Sequence, residues 1–244
     1  MKTLVKLLLL LALIVYLVFA FTTMAGRDEH TMCREVNITV ADSSRAGFIT
    51  SQEVERMLRS TGLYPIGKAM GQIDGARIEK ELQKQSFIES ATCYKAPGGT
   101  LNVLVSQRLP VLRVMADNGD DYYLDAKGSA MNPAGYVADI AVATGSISRP
   151  YARKELLKLG LYLRDNDFWN AQIEQIHVTP SGQVELFPRV GRQMIVLGGT
   201  DSIPRKFQNL YTFYQKVMPE VGWNKYSSIS VEHVSQIVAK RAEK

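Results

Sequence analysis

The first pattern along the chain is an uncharged run of nineteen residues at positions 7–25. As an α-helix, a run of this length spans about 28 Å, which is close to the hydrocarbon thickness of a bilayer. Lys2 and Lys6 precede the run, whereas residues 27–29 carry charges of both signs. The positive-inside rule therefore predicts a cytoplasmic tail at residues 1–6, a transmembrane helix at 7–25 and export of everything that follows.

A cleaved signal peptide is the alternative interpretation of the same run. Thr23-Met24-Ala25, before Gly26, resembles a small-residue cleavage site. The apolar region of a signal peptide usually has about 7–15 residues, which is shorter than this run, so we favour the anchor. Both interpretations export the rest of the chain, so the choice between them does not change the functions that are open to it.

A strand and a capped helix are predicted directly after the run. Apolar and polar residues alternate at positions 33–40, which is typical of a strand. Thr50 followed by Glu53 three residues later makes a capping box, the signal for a helix start. The helix predicted from there carries apolar residues at helical spacing and ends at Gly62; these residues are Val54, Met57 and Leu58.

A second helix and two strands complete this region. Asp74 caps the helix, and Ile78 and Leu82 form its apolar side. Strands are predicted at residues 91–96 and 100–106, joined by a Pro-Gly-Gly turn. The order strand, helix, helix, strand, strand predicts a small α+β domain, and with its flanking residues we place it at 33–108.

A β-rich domain with two helices is predicted for residues 109–244. The helices are expected at 148–165 and 203–220, the second of which has the clearest amphipathic spacing in the chain. The strands are expected at 111–116, 121–126, 136–143, 173–179, 183–190, 192–199, 226–233 and 235–241. The predicted fold class is therefore α+β: an N-terminal transmembrane helix, a βααββ domain, and a mixed β-rich domain with two helices.

Composition excludes several classes of protein and partner. The 244 residues are 46% hydrophobic and 22% charged, which are ordinary values for a globular protein. The net charge of +5 is scattered along an exported chain, so we interpret it as solvated surface and expect no nucleic-acid partner. Cys33 and Cys93 are the only cysteines. They could pair in an oxidising compartment, but two cysteines are too few for a disulfide framework, and we favour unpaired core residues.

No constellation of residues typical of a catalytic, metal or cofactor site is present in the sequence. The Gly-Gly pairs at 98–99 and 198–199 fit turns and not a dinucleotide loop. The three histidines are far apart and lack the spacing of metal ligands; they are His30, His177 and His233. We therefore expect no catalytic residue, no metal and no cofactor.

An acidic group is the one candidate for enzymatic chemistry. It comprises Asp120, Asp121 and Asp125, beside Tyr122 and Tyr123. A pair of carboxylates can serve a glycosidase. Turn residues at the ends of a strand are the interpretation that we favour.

The order of several motifs resembles the FtsQ/DivIB family of bacterial cell-division proteins. Gln107-Arg108 with Pro110-Val111, followed by Tyr123-Leu124-Asp125 and Gly128, is similar to the family signature QR.PV … YLD..G. Residues 78–114 resemble the second helix of the family's POTRA module, its two strands and the junction. Residues 168–199 and the helix at 203–219 resemble the second half of its β domain. The tail before the apolar run is shorter than is usual in the family, and the last strands match it only loosely.

The resemblance implies a scaffold of the division machinery and not an enzyme. Such a protein crosses the cell inner membrane once, with its bulk in the periplasm at the division septum. Its POTRA module serves localisation and early contacts. Its β domain recruits coiled-coil proteins of the FtsB and FtsL type, and through them the septal peptidoglycan synthase.

The last predicted strand is the expected contact with the partner. A sheet that ends at the C-terminus tends to leave an unpaired edge, which can accept a partner strand through main-chain hydrogen bonds. Resemblance places the FtsB-type contact on this strand, with His233 near its entrance. The candidate partner-binding residues are His233, Ser235, Gln236, Ile237, Val238, Ala239 and Lys240.

Two other functions remain open from the sequence. One is an exported, POTRA-bearing component of an assembly or secretion system, although such chains typically carry a long membrane-embedded domain after the POTRA modules. Residues 111–244 leave no room for such a domain, since two predicted helices interrupt the strands. The other is a wall-associated enzyme, which requires a cleaved N-terminus and a catalytic acidic pair.

Overall fold

The computed structural model describes residues 6, 9–19, 30–41, 49–133 and 137–242. The chain divides into two compact units, a first unit that ends at Arg108 and a second unit that begins at Leu109. Both units combine helices with a β-sheet, so the predicted α+β class is confirmed.

The first unit is a three-stranded sheet with two helices packed against it. The strand order is β1-β3-β2, in which β1 lies parallel and β2 antiparallel to β3. The elements are β1 (Glu35–Ala41), α1 (Ser51–Ser60), α2 (Gly75–Leu82), β2 (Ile88–Ala96) and β3 (Thr100–Gln107). The order strand, helix, helix, strand, strand is the one that the sequence predicts.

Local hydrogen bonds fix both ends of α1. The backbone N–H of Glu53 donates to Thr50 Oγ1 over 3.2 Å, and that of Thr50 donates to Glu53 Oε2 over 2.8 Å, which completes the capping box. At the other end Gly62 has φ +69°, and the N–H of Leu63 donates to the carbonyl of Leu58 over 2.9 Å. This Schellman-type ending needs a left-handed residue, which explains the glycine.

The core of the first unit consists of the inward faces of the helices and of β3. Leu82 on α2 is 1% exposed. Other buried members are Val54, Leu58, Ile78, Leu101, Val103 and Val105. The apolar positions that the sequence assigns to the two helices are thus buried, with the exception of Met57, which is partly buried.

Replacing Leu82 with alanine should destabilise the first unit by about 2–5 kcal/mol, because it removes buried methyl groups and leaves a cavity. Both cysteines of the chain lie in this unit, so their labelling by a thiol reagent reports its opening. We expect labelling in dilute urea to accelerate about thirtyfold or more. Leu104→Ala is the control, because this side chain is 42% exposed, and its rate should stay near that of the parent. A Leu82→Ala protein that labels at the parent rate would contradict this packing.

The two cysteines are free thiols. Cys33 is buried and Cys93 is half-buried on β2. Burial, followed by the charge of Glu79, raises the pKa of the Cys93 thiol to about 12. A thiol with so high a pKa stays protonated near neutral pH and is a poor nucleophile, in agreement with a structural role.

The second unit is a nine-stranded mixed sheet with helices on one face. The strand order is β12-β11-β10-β9-β8-β7-β4-β5-β6. The strands are β4 (Pro110–Ala116), β5 (Asp121–Asp125), β6 (Ala130–Met131), β7 (Val142–Gly145), β8 (Ile173–Val178), β9 (Val184–Pro188), β10 (Met194–Gly198), β11 (Tyr226–Ser230) and β12 (Val238–Arg241).

The helices of the second unit supply most of the large side chains that cover the sheet. Helix α3, residues 149–164, consists of a turn at Arg149–Tyr151, a π-helical turn at Ala152–Leu156 and the α-helix Leu157–Arg164. The others are α4 (Asp167–Gln172), α5 (Ile203–Lys216) and α6 (Met218–Val221). Their buried residues join those of the central strands in one continuous core, which includes Leu156, Leu159, Leu163, Trp169, Phe207, Leu210 and Met218.

Both predicted helices are present, at 149–164 and from Ile203 onward, but the described residues of this unit contain two further short helices, α4 and α6. The helix expected at 203–220 breaks at Val217, and α6 begins at Met218. Pro219 explains the break, because its ring lacks an N–H and restricts the residue before it. Helix α4 was missed because its six residues are too few to show a period; Asn166 caps it by accepting from the N–H of Trp169.

Two strands of the second unit lie elsewhere than predicted. The strand expected at 136–143 occupies Val142–Gly145, where it pairs in parallel with β4 and with β8. The strand expected at 235–241 begins only at Val238, because a turn precedes it. In both places the alternation of apolar and polar residues extends beyond the residues that pair with a neighbouring strand.

The N-terminal run is described only in part. Residues 9–19 are helical. Within the part of the chain that the structure describes, no helix has both the length and the apolar character needed to cross a bilayer. Residues 7, 8 and 20–25 of the predicted span, and the predicted tail apart from Lys6, lie outside the described residues.

Candidate partner-binding edge

Strand β12 forms one edge of the sheet in the second unit. It pairs antiparallel with β11, with Ser230 opposite Val238 and Ile229 opposite Ala239. Across the described residues no further strand lies on its other side, where the sheet order ends. An edge strand leaves every second N–H and C=O pointing outward, and these groups can pair with another chain. The sheet's other edge is the two-residue strand β6, which offers much less backbone.

The seven predicted site residues divide between this strand and the turn before it. Val238, Ala239 and Lys240 lie in β12. The other four precede it and are His233, Ser235, Gln236 and Ile237. The turn is closed by a hydrogen bond from the N–H of Gln236 to the carbonyl of His233, over 3.3 Å. In the structure, the strand predicted at 235–241 therefore covers only the last three of the predicted site residues.

Side chains alternate between core and solvent along the edge. Ile237 and Ala239 pack against the core of the second unit. Val238 between them is 56% exposed, although it is apolar. One face of the strand therefore packs on the core of its own unit, and the other face presents an apolar side chain to solvent.

The segment before β12, residues 232–237, contacts the rest of the second unit at two points. Asn209 on α5 donates from Nδ2 to the carbonyl of Val234 over 2.8 Å. Gly198, with φ +73°, lies under Glu232; a Cβ at Gly198 would come within 2.6 Å of Glu232 Cγ. These contacts fix the turn, so that the edge strand starts from a defined position.

A groove runs between this turn and helix α5. Its volume is about 440 Å³, and its walls include Arg205, Asn209, Phe213 and Lys216 from the helix and Val234 and Ile237 from the turn. The helix positions were not among the predicted site residues. Their spacing of four, four and three residues marks one face of an amphipathic helix, a signal that the sequence contains.

The groove and the strand end are positively charged. Arg205 and Lys216 lie on the groove, and Lys240 and Arg241 close β12. None of these four cations forms an ion pair with a described residue. A surface with unpaired cations beside an apolar floor attracts a segment that carries acidic and apolar residues.

Asp120 and Asp121 each form an ion pair with an arginine on the surface. Asp120 accepts from Arg149 Nη2 over 2.7 Å, and Asp121 accepts from Arg113 Nη2 over 2.8 Å. These hydrogen bonds hold the pKa of each carboxyl below its usual value. A general acid needs the opposite shift, so neither group is prepared for the acid's role in a glycosidase.

Asp125 has a structural role in the turn after β5. It is buried, and its Oδ1 accepts from the N–H of Lys127 over 2.9 Å and from that of Ser129 over 2.7 Å. Bonds of this kind close an Asx turn. The position of the carboxylate is thus explained by the turn that it holds.

Histidines and acidic residues do not converge in the described part of the chain. His177 lies on β8, with Nδ1 3.2 Å from Thr144 Oγ1, while His30 and His233 are exposed. Among the residues that the structure describes, no group of three or more His, Cys, Asp or Glu could hold a metal ion.

Comparison with known proteins agrees with the two units. Residues 31–106 match the model of a POTRA-like domain, and residues 109–240 match the family model described as FtsQ/DivIB, C-terminal related. A relative with the name cell division protein FtsQ, from Rhodothermus marinus, is 27% identical over 194 residues, which cover 75% of this chain and 71% of the relative. The second model covers more than half of the 244 residues. The chain belongs to the FtsQ/DivIB, C-terminal related, family of cell-division proteins.

Proposed function

We propose that this protein is a non-enzymatic scaffold of the division machinery, whose β12 edge binds FtsB/FtsL-type coiled-coil proteins and so links to septal peptidoglycan synthesis. Strand β12 supports this function by its edge position, because it has a neighbouring strand on one side only among the described residues. A partner segment in extended conformation adds to such an edge as a further strand.

The local chemistry of the edge favours strand addition by a specific partner. Main-chain hydrogen bonds supply affinity, while the side chains beside the strand select the sequence. Val238 offers an apolar contact on the exposed face. Lys240 and Arg241 at the end of the strand deter uncontrolled pairing between edges and favour an acidic partner.

The groove beside α5 is the proposed path for the rest of the partner segment. It adjoins the turn that leads into β12, and it combines the apolar side chains of Phe213 and Ile237 with the cations Arg205 and Lys216. An amphipathic segment with an acidic residue near its apolar one fits this combination. Strand and groove together would bury more surface than the four residues of β12 alone.

Membership of the family supports the remaining parts of the proposal. The domain at 33–108 is proposed to serve localisation and early contacts, and the domain at 109–244 to serve recruitment. Residues 7–25 are proposed as the single anchor in the cell inner membrane, with residues 1–6 in the cytoplasm and the bulk in the periplasm at the septum. The uncharged length of that run supports the anchor.

Imaging and purification together test this function. A fluorescent fusion is expected to form a band at mid-cell during constriction, and FtsB/FtsL-type proteins are expected to purify with the full chain. A fusion spread evenly over the envelope would favour the assembly component instead. Peptidoglycan turnover by the purified protein that is lost when Asp120, Asp121 and Asp125 are replaced would favour the wall-associated enzyme.

A further inference from the structure

A second cleft lies at the opposite end of the sheet from β12. It is formed between the turn that follows β5 and the first two turns of α3, and its volume is about 240 Å³. Tyr122 and Leu124 supply aromatic and aliphatic surface, and Ser129, Arg149 and Arg153 supply polar groups. The recruitment function uses none of these residues.

Two guanidinium groups, four positions apart on α3, line this cleft. Arg149 is already neutralised, because Asp120 accepts from its Nε over 3.2 Å and from its Nη2 over 2.7 Å. The guanidinium carbon of Arg149 also lies 5.1 Å from the ring centroid of Tyr122. The bidentate ion pair between Arg149 and Asp120 therefore adds no net charge to this wall of the cleft.

Arg153 gives the cleft a positive charge that no acidic residue of the cleft neutralises. It forms no ion pair or hydrogen bond with any described residue. Its stem packs on Gly128, where φ is +76° and an added Cβ would come within 2.9 Å of Arg153 Cγ. The glycine thus lets the turn and the arginine stem lie in contact.

The helix is π-helical where it carries this arginine. Ala152–Leu156 form a single π turn, and Ala152 and Leu156 remain buried within it. Isolated π turns carry a cost in hydrogen-bond geometry and occur frequently at functional sites. Arg149 precedes the π turn and Arg153 lies within it, and both line the same cleft.

We propose that this cleft binds a carboxylate on a short apolar residue, such as the C-terminal residue of a peptide. The cations Arg149 and Arg153 and the anion Asp120 leave one positive charge, which matches a monoanion better than a phosphate dianion. A planar guanidinium suits a carboxylate, the Ser129 hydroxyl can add one hydrogen bond, and Tyr122 and Leu124 accept the apolar part. The volume is below the usual range of about 300–1,000 Å³ for ligand pockets, so a single residue fits better than a longer segment.

Fluorine NMR with the full chain tests this site, with N-trifluoroacetyl-alanine as the probe. The carboxylate probe is expected to bind, and its methylamide, which lacks the charge, is expected not to bind. Arg153→Gln should weaken binding about tenfold, because a charged hydrogen bond is lost. Arg153→Lys should weaken binding less, about threefold, because the positive charge remains but the two parallel hydrogen bonds of the guanidinium are lost. Lys154→Gln is the matched control: it removes one positive charge from the same turn, at a side chain that is 80% exposed, and should change binding less than twofold.

Three results would overturn the proposal. The first is a probe that does not bind the parent protein. The second is equal weakening by Arg153→Gln and Lys154→Gln, which would show that only the general charge of the surface attracts the probe. The third is displacement of the probe by inorganic phosphate at concentrations where acetate has no effect, which would assign the cleft to phosphate and not to a carboxylate.

Discussion

Replacing Phe207 with alanine is expected to lower the free energy of unfolding of the second unit by about 3–5 kcal/mol. Phe207 is fully buried on α5. Its ring centroid lies 4.9 Å from that of Tyr162 on α3 and 4.9 Å from that of Trp169 on α4. One side chain thus joins three helices, and its loss leaves a cavity that their rigid backbones cannot close.

Tryptophan fluorescence during urea unfolding measures this effect selectively. The two tryptophans of the chain, Trp169 and Trp223, both lie in the second unit, so their emission reports that unit alone. Tyr211→Ala is the matched control on the same helix, because Tyr211 is 38% exposed and contacts Phe168 at its edge. We expect the control to cost about 1 kcal/mol. Equal costs for the two variants would contradict the assignment of Phe207 to the core.

Proline substitutions in β12 are expected to give the largest effect on partner binding. Successive residues of a strand direct their N–H groups to opposite sides. Of Val238→Pro and Ala239→Pro, one therefore removes an outward donor and the other removes a donor to β11. The outward variant should keep its stability and weaken binding of an FtsB/FtsL-type partner more than tenfold, because a ladder bond is lost and the proline ring obstructs pairing.

The controls separate backbone pairing from side-chain contact and from unfolding. Val238→Ala keeps the N–H and should weaken binding only severalfold. Tryptophan fluorescence of each proline variant identifies the one that stays folded. If the stable proline variant binds the partner with the affinity of the parent, the interface does not run through the β12 backbone.

Much of the first unit could be predicted because its signals are local. The Thr50–Glu53 capping box, the Asp74 cap and the Gly62 ending act within a few residues, and the structure contains all three. The period of the buried residues in each helix also agrees with the structure. These features depend on neighbouring residues in the chain and hardly at all on the rest of the fold.

The deviations in the second unit arise from interactions that a linear pattern does not record. The apolar alternation at 235–241 is real, but residues 235–237 form the end of a turn that Asn209 holds from α5. Likewise, the groove beside β12 consists of two segments separated by about twenty residues. The sequence shows the exposed face of α5, but only the tertiary contact shows that this face adjoins the predicted strand.

Amide hydrogen exchange measures whether a partner strand pairs with the β12 edge. Exchange of the full chain should be compared with and without an FtsB/FtsL-type partner. Outward-facing amides of residues 238–241 are expected to exchange quickly in the free protein and slowly in the complex, because they become part of a hydrogen-bonded ladder. Protection confined to the other edge strands, β1 and β2 in the first unit or β6 in the second, with residues 238–241 unchanged, would contradict this role of β12.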